Sequence, residues 1–312
     1  MISIFKTDEN GQLITLQEQE KGCWVHLASP NEEEIRQICE TLEVLPEFVR
    51  AALDDEERAR IETDEGQTLI VVDTPFQEPN TEAGVFTTIP VAMIILPKAL
   101  LTVCLYDGTI LDDFINGKVR NIQTAFKTRT ILQMLYRNDS RFMHYLRLIS
   151  KQSHEIEDAL HASTENKELY RMMALQKSLV YFSTALQSNE VVLEKMTRHE
   201  QVKNYPEDAE ILEDVIIENR QAIEMTDIYS NIITGTMDAF ASIISNNMNI
   251  VMRFLAAITI VLSVPTIVGS FYGMNVAYLP FTASPYSFWM IVLAATFLSG
   301  GCAIWLYKRK MF

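Results

Sequence analysis

The stretch Phe254–Tyr307, FLAAITIVLSVPTIVGSFYGMNVAYLPFTASPYSFWMIVLAATFLSGGCAIWLY, contains no Asp, Glu, Lys, Arg or His. It reads as two apolar spans, roughly Phe254 to Phe271 and Ser287 to Tyr307, joined by an uncharged polar connector that begins Tyr272-Gly273-Met274-Asn275. Each span is close to the ~20 residues a helix needs to cross a ~30 Å hydrocarbon core. The sequence therefore predicts a first transmembrane helix over 254–272, an extracytoplasmic connector over 273–286, a second transmembrane helix over 287–307 and a basic cytoplasmic tail over 308–312. Phe288, Trp289, Trp305 and Tyr307 lie near the ends of the second span, where interfacial aromatics belong. The connector's lone Asn, Asn275, is the first place to look for function.

Lys308-Arg309-Lys310 sets the topology. A basic flank stays cytoplasmic, and two spans return the 253 residues before them to the same side of the cell membrane, with both termini inside. Arg253, just ahead of the first span, agrees. Met1 to Asp8 carries no long apolar run, so no secretory signal peptide is expected. Cys23, Cys39, Cys104 and Cys302 form no CxxC pair and suit a reducing cytosol as buried small hydrophobes. Three of the 26 basic residues lie in the tail, so 23 stand against 41 acidic ones ahead of the membrane, a formal net of −18. Such a body repels nucleic acid and anionic lipid and attracts cations, although acidity also serves plain solubility.

Residues 1–128 mix short strand-like and helical runs and read as a cytoplasmic α/β domain large enough for its own core. Cys23 to Leu27 alternates, Ser29 can cap a helix with Pro30 at its first position, and Asn31 to Leu42 has helical spacing. Strands are expected at Thr68–Val72, Val85–Leu96 and Leu100–Leu105, with Pro90 near the start of the second. No GxGxxG, Walker loop or Ser/His/Asp order points to an enzyme, a catalytic cofactor or a nucleotide. Over 129–205 two long helices are expected, Ile131–Ser163 and Lys167–Lys203, ended by Asn204-Tyr205-Pro206. A third runs from Glu207 to Phe271 with no convincing stop, on the order of 100 Å at 1.5 Å per residue; residues 206–253 are its cytoplasmic part. His154, Asp158 and His161 share one face of the first of these helices; the two histidines are too far apart for one ion, so a solvated stripe competes with a metal site.

On the third helix Asp238, Ser242, Ser245, Asn249, Met252, Ala256, Thr259, Ser263, Thr266 and Ser270 recur at steps of four and three, a heptad seam. A coiled-coil core would be apolar there; this seam is small and hydroxylic. In hydrocarbon such residues either pack helices closely or line water. Asp238 and Asn249 favour a wet axis, and two spans cannot enclose one, so several copies would share it, with the second spans outside.

Tyr272-Gly273-Met274-Asn275, set between a polar-striped first span and a second span with a basic tail, resembles the CorA-type divalent-cation transporters. The resemblance covers essentially the whole chain. It implies a funnel-shaped homopentamer that conducts Mg²⁺ through the bilayer, with Co²⁺, Ni²⁺ or Zn²⁺ as same-family alternatives. It also implies a filter of Gly273, Met274 and Asn275, whose carboxamides hydrogen-bond to water on an ion that sheds it reluctantly. Gly273 would allow the backbone turn that ends the helix. By position, Asn249 and Thr266 correspond to pore-facing residues, Leu255 to part of a hydrophobic gate and Asp238 to an acidic ring. Ser263 stands where the family has a methionine constriction. The family's cytoplasmic Mg²⁺ sensing implies a regulatory role for Asp214, with Asp54 and Asp55 replacing an acidic pair that here reads Arg50-Ala51. A membrane-anchored signalling or scaffold protein is the rival of another class.

Overall fold

The computed structural model describes residues 1–8, 11–77, 85–119, 122–162, 166–199, 205–276, 285–309 and 311. Two compact units divide at Met237/Asp238, inside a helix and ahead of the expected membrane boundary at 253/254.

The first unit is built on a seven-stranded sheet in the order β2-β1-β3-β7-β6-β5-β4. Its strands are β1 Ile2–Thr7, β2 Leu13–Leu16, β3 Cys23–Ala28, β4 Arg60–Asp64, β5 Gln67–Gln77, β6 Phe86–Ile95 and β7 Ala99–Cys104. Only β3 and β7 pair in parallel. The alternation expected over Cys23–Leu27 is not a buried/exposed one: every residue of β3 is buried, because both faces of the sheet are covered. Trp24 and Ala28 enter one core with Ile131, Leu135, Val192 and Val215, whereas Cys23, Val25 and Leu27 enter another with Ile38, Phe48 and Val49. The second layer consists of α1 Glu32–Leu42, α2 Pro46–Arg50 and a 3₁₀ turn, Ala51–Leu53. The first consists of α3 Ile110–Ile115, α4 Lys127–Ala162, α5 Asn166–Met196 and the start of α6 Pro206–Tyr272.

Three expectations are corrected. The cap of α1 is Asn31, not Ser29: its Oδ1 accepts the Glu34 N–H at 2.8 Å while Glu34 Oε2 accepts the Asn31 N–H at 3.0 Å, a complete capping box. Ser29 instead has φ 46° and donates to the Leu105 carbonyl at 2.7 Å, tying the end of β3 to β7. Helix α5 stops at Met196, short of the expected Lys203, whose placement lies outside the described residues. Pro90 sits inside β6, not at its start. It pairs with Asp73 but lies just past Val91, where β7 begins to pair, so its missing N–H breaks no ladder there.

Helix α6 continues through Gly235, still in the first unit, and in the second unit through Pro265 without interruption to Tyr272; α7 spans Ser287–Lys308. Their most apolar stretches have mean hydropathy 2.1 and 1.8, yet only 6% and 11% of those stretches is buried. Apolar surface this bare needs lipid or further copies to cover it. One stripe of each helix is partly covered: Ala257 is buried and Val261, Val264 and Val268 half-buried on α6, and Ala295 and Leu306 are buried and Ser287, Ile291, Ser299 and Cys302 half-buried on α7.

Candidate functional site

The polar seam lies wholly in the second unit and is uncovered. Asp238, Ser242, Ser245, Asn249, Met252, Ala256, Thr259, Thr266 and Ser270 are exposed, and Ser263 is half-buried. At about 100° per residue, the seam from Ala256 to Ser270 lies nearly opposite the covered stripe from Ala257 to Val268. What little cover α6 has in this stretch thus lies on its other side, and the hydroxyl face is left open.

The hydroxyls on that face are oriented by their own helix. Thr259 Oγ1 donates to the Leu255 carbonyl at 2.8 Å, Ser263 Oγ to Thr259 at 2.7 Å and Thr266 Oγ1 to Leu262 at 3.0 Å. Each hydroxyl has one proton, and donating it backward leaves only lone pairs to face outward. From Thr259 to Thr266 the seam therefore presents acceptor oxygens without carrying charge. Pro265 has no N–H to give the Val261 carbonyl one turn earlier, but that freed acceptor lies on the side of α6 away from the seam. Nearer the soluble unit, Arg253 Nε donates to the Asn249 carbonyl at 3.2 Å, leaving the Asn249 carboxamide exposed. Leu255 is 51% exposed, a large apolar side chain beside the seam.

The helix does not end by the left-handed glycine turn expected at Gly273. Its N–H bonds to Gly269 at 3.0 Å and Ser270 at 3.2 Å, so the backbone is still helix-like there. A Cβ on Gly273 would meet the Gly269 carbonyl oxygen at 3.4 Å, an ordinary contact, so sterics within one chain do not demand glycine there. Met274 then bonds back to Phe271 at 3.4 Å, and Val276 to Met274 at 3.0 Å, which leaves Asn275 exposed at the tip of the turn. Residues 277–284 of the connector lie outside the described residues.

The other predicted positions do not assemble within one chain. Asp214 is exposed on α6, and Asp54 and Asp55 are exposed just after the 3₁₀ turn. Among the described residues no group of three or more His, Cys, Asp or Glu is placed to hold a metal. His154 and Asp158 face outward from α4, while Ser153, Ile156 and Leu160 face the core; the side chain of His161 lies outside the described residues.

Sequence reading missed two features of α4. One is buried acid: Asp139, 2% exposed, has a carboxyl pushed well above the usual range by burial and by the nearby Glu218. The other is a basic row, Arg137, Arg141 and Arg147, which lines a groove with Lys118. The spacing of Arg137 and Arg141 is the helical signal that would have revealed it.

An α/β unit whose last helix runs on to bilayer length, followed by a second such helix, defines a two-span integral membrane protein with a large soluble part. The chain belongs to the CorA-like Mg²⁺ transporter family, a family of transporters rather than catalysts, whose model matches residues 19–309. The cobalt/magnesium transport protein CorA of Methanocaldococcus jannaschii is 28% identical over 283 residues, 86% of this chain and 84% of the relative. That of Thermotoga maritima is 21% identical over 281 residues, 88% and 79% of the two chains. The fold is similar to the complete structure of the CorA magnesium transporter from M. jannaschii, with a TM-score of 0.83 at 24% identity over 99% of this chain and 98% of that one. It is also similar to full-length CmaX, with a TM-score of 0.72 at 16% identity over 99% and 96%.

Proposed function

We propose that this protein is a homopentameric, channel-type transporter that admits Mg²⁺ to the cytosol down its electrochemical gradient. One α6 from each copy faces the shared axis, Asn275 forms the filter with Gly273 and Met274, and α7 forms the outer ring against lipid. Both termini are cytoplasmic. The observation that carries this reading is the uncovered seam of outward lone pairs, set opposite the stripe that α6 buries and leading to Asn275. Neutral oxygens suit an ion that keeps its first water shell: they can accept from that water without holding the ion too tightly to pass. An inside-negative potential adds roughly 4–5 kcal/mol per divalent ion per 100 mV, so no nucleotide is required. Cytoplasmic Mg²⁺ is also the regulatory ion, acting between copies through Asp214 of one and Asp54 or Asp55 of the next.

Both curated relatives are cobalt/magnesium transport proteins, which favours Mg²⁺ and Co²⁺ over Zn²⁺ as cargo. In proteoliposomes Asn275→Ala should abolish Mg²⁺ uptake while leaving assembly intact; uptake that survives sinks the filter assignment. Competition by Co²⁺, Ni²⁺ and Zn²⁺ in the same assay ranks the cargo. A membrane-anchored scaffold would instead tolerate Leu along the seam and Ala at 275.

A further inference from the structure

Charge is unevenly placed on the soluble unit. On one side of the sheet, α3, α4 and α6 enclose a groove of about 650 Å³. Lys118, Arg137, Arg141 and Arg147 line it against Asp113 and Glu218, a local excess of positive charge in a chain whose formal net charge is −15. Asp113 is already committed: its carboxylate meets Lys118 at 2.8 Å and Arg137 at 2.8 Å. Burial alone would raise the Asp113 carboxyl, but these two cations hold it below the usual range. Arg141 donates to the Gly108 carbonyl and lies over the Tyr145 ring at 5.8 Å. Arg147 is exposed and has no hydrogen-bond or ion-pair partner among the described residues. The groove thus holds four cations against two carboxylates, with Arg141 oriented and Arg147 left open.

The complementary feature lies on the other side of the sheet. Asp54-Asp55-Glu56 follows the 3₁₀ turn of the α1/α2 layer, and all three are exposed. The Asp54 carboxylate accepts the Glu56 N–H at 3.1 Å, but those of Asp55 and Glu56 meet no partner among the described residues.

We infer that the basic groove receives the Asp55-Glu56 run of a second copy of this chain. The sheet stands between the two patches, so one chain cannot join them. Repeated from copy to copy they form a head-to-tail contact, the kind that closes into a ring when the rotation permits. The inference rests on the homo-oligomeric reading above and names the contact that the soluble units make. Guanidinium groups meeting carboxylates there form charge-assisted bonds and take over part of the bridging that a divalent cation would otherwise provide.

The test uses the full-length protein in detergent, carrying Arg147→Lys to keep the charge and supply an amine. Native mass spectrometry gives the oligomeric state, and a zero-length carbodiimide joins amines to carboxylates in contact. The expected result is a ladder of linked chains on a denaturing gel, containing peptides that join position 147 to Asp55 or Glu56. The link should weaken as salt rises and vanish in Asp55→Lys/Glu56→Lys. An intact oligomer without that link overturns the contact but spares the oligomer. A ladder indifferent to the charge reversal, with inorganic phosphate protecting the amine at 147, makes the groove a small-anion site and overturns the contact too. A monomeric native mass overturns the oligomeric reading itself, and the contact with it.

Discussion

Asn189 holds the backbone of Asp73 at both ends: its Oδ1 accepts the Asp73 N–H at 2.9 Å and its Nδ2 donates to the Asp73 carbonyl at 2.9 Å. Strand β4 stops pairing with β5 at Val71, so beyond that point β5 would be an open edge inside the protein. The carboxamide from α5 stands in for one residue of the missing strand, and Asn138 on α4 adds a second donor to the same carbonyl at 2.8 Å. The helical layer is thereby fastened to the sheet by hydrogen bonds as well as by packing.

Removing that carboxamide leaves a buried N–H unpaired. Asn189, 3% exposed, changed to Ala should lower the stability of the soluble unit by about 2–3 kcal/mol. The check is the urea midpoint of the full-length protein in detergent, with the slope unchanged; a shift under about 0.5 kcal/mol would mean that the edge is satisfied some other way.

Asp73 itself gives a pH signature. Burial raises its carboxyl to about 6 from an ordinary 3.8. Between those values the folded form holds a proton that the unfolded form has released, so this group's contribution to stability falls as pH rises through about 4–6 and stays low above. Asp73→Asn keeps both backbone bonds. It should match wild type near pH 4 and exceed it by on the order of 2 kcal/mol above pH 6. Thermal melts across pH 4–8 measure the difference. His26, lowered to about 4 by burial, acts in the opposite direction over 4–6.5; the wild-type profile is therefore flatter than that of Asp73→Asn.

Ser263 is the one seam hydroxyl that is half-buried, and it stands where the resemblance places a methionine. Ser263→Met should cut Mg²⁺ uptake about tenfold, equivalent to ~1.4 kcal/mol, by putting a long apolar side chain where an outward oxygen was. Ser263→Thr keeps the oxygen and should keep the flux. Equal loss in both would assign the effect to bulk rather than to polarity.

A carboxylate in place of the amide of the proposed filter, Asn275, should separate binding from passage. Asn275→Asp holds a divalent ion more tightly, so half-saturation should fall while maximal uptake falls too, each by about threefold or more. Stopped-flow uptake against external Mg²⁺ reads both; a rise in maximal rate would contradict a filter that works by weak, neutral contact.

The membrane half was the more legible part of the chain. Missing charges and a four-three seam specify a helix face directly, and α6 and α7 fall within a residue or two of the expected Glu207–Phe271 and Ser287–Tyr307. The sheet was harder. β2 and β4 are short edge strands, and Arg60–Asp64 in β4 reads as a charged turn until its pairing with β5 is known. The sequence holds Ser29-Pro30 and Asn31 side by side; the β3 register, which fixes Ser29 against Leu105, decides which one caps α1. The basic groove was invisible as a unit because Lys118 and the α4 arginines meet only through tertiary packing. Asp214, Asp54 and Asp55 were named as a regulatory set only through the resemblance, and among the described residues of one chain they form no group of three that could hold a metal.

From Phe254 to Tyr307 the chain places no ionised side chain in the bilayer. In the pore proposed above, an electric field across that stretch would act on the passing ion and find no fixed charge in the wall to displace. Voltage would then set how fast cations enter without setting whether the pore is open, and opening would rest with the ionised soluble side, where chemistry rather than potential is sensed.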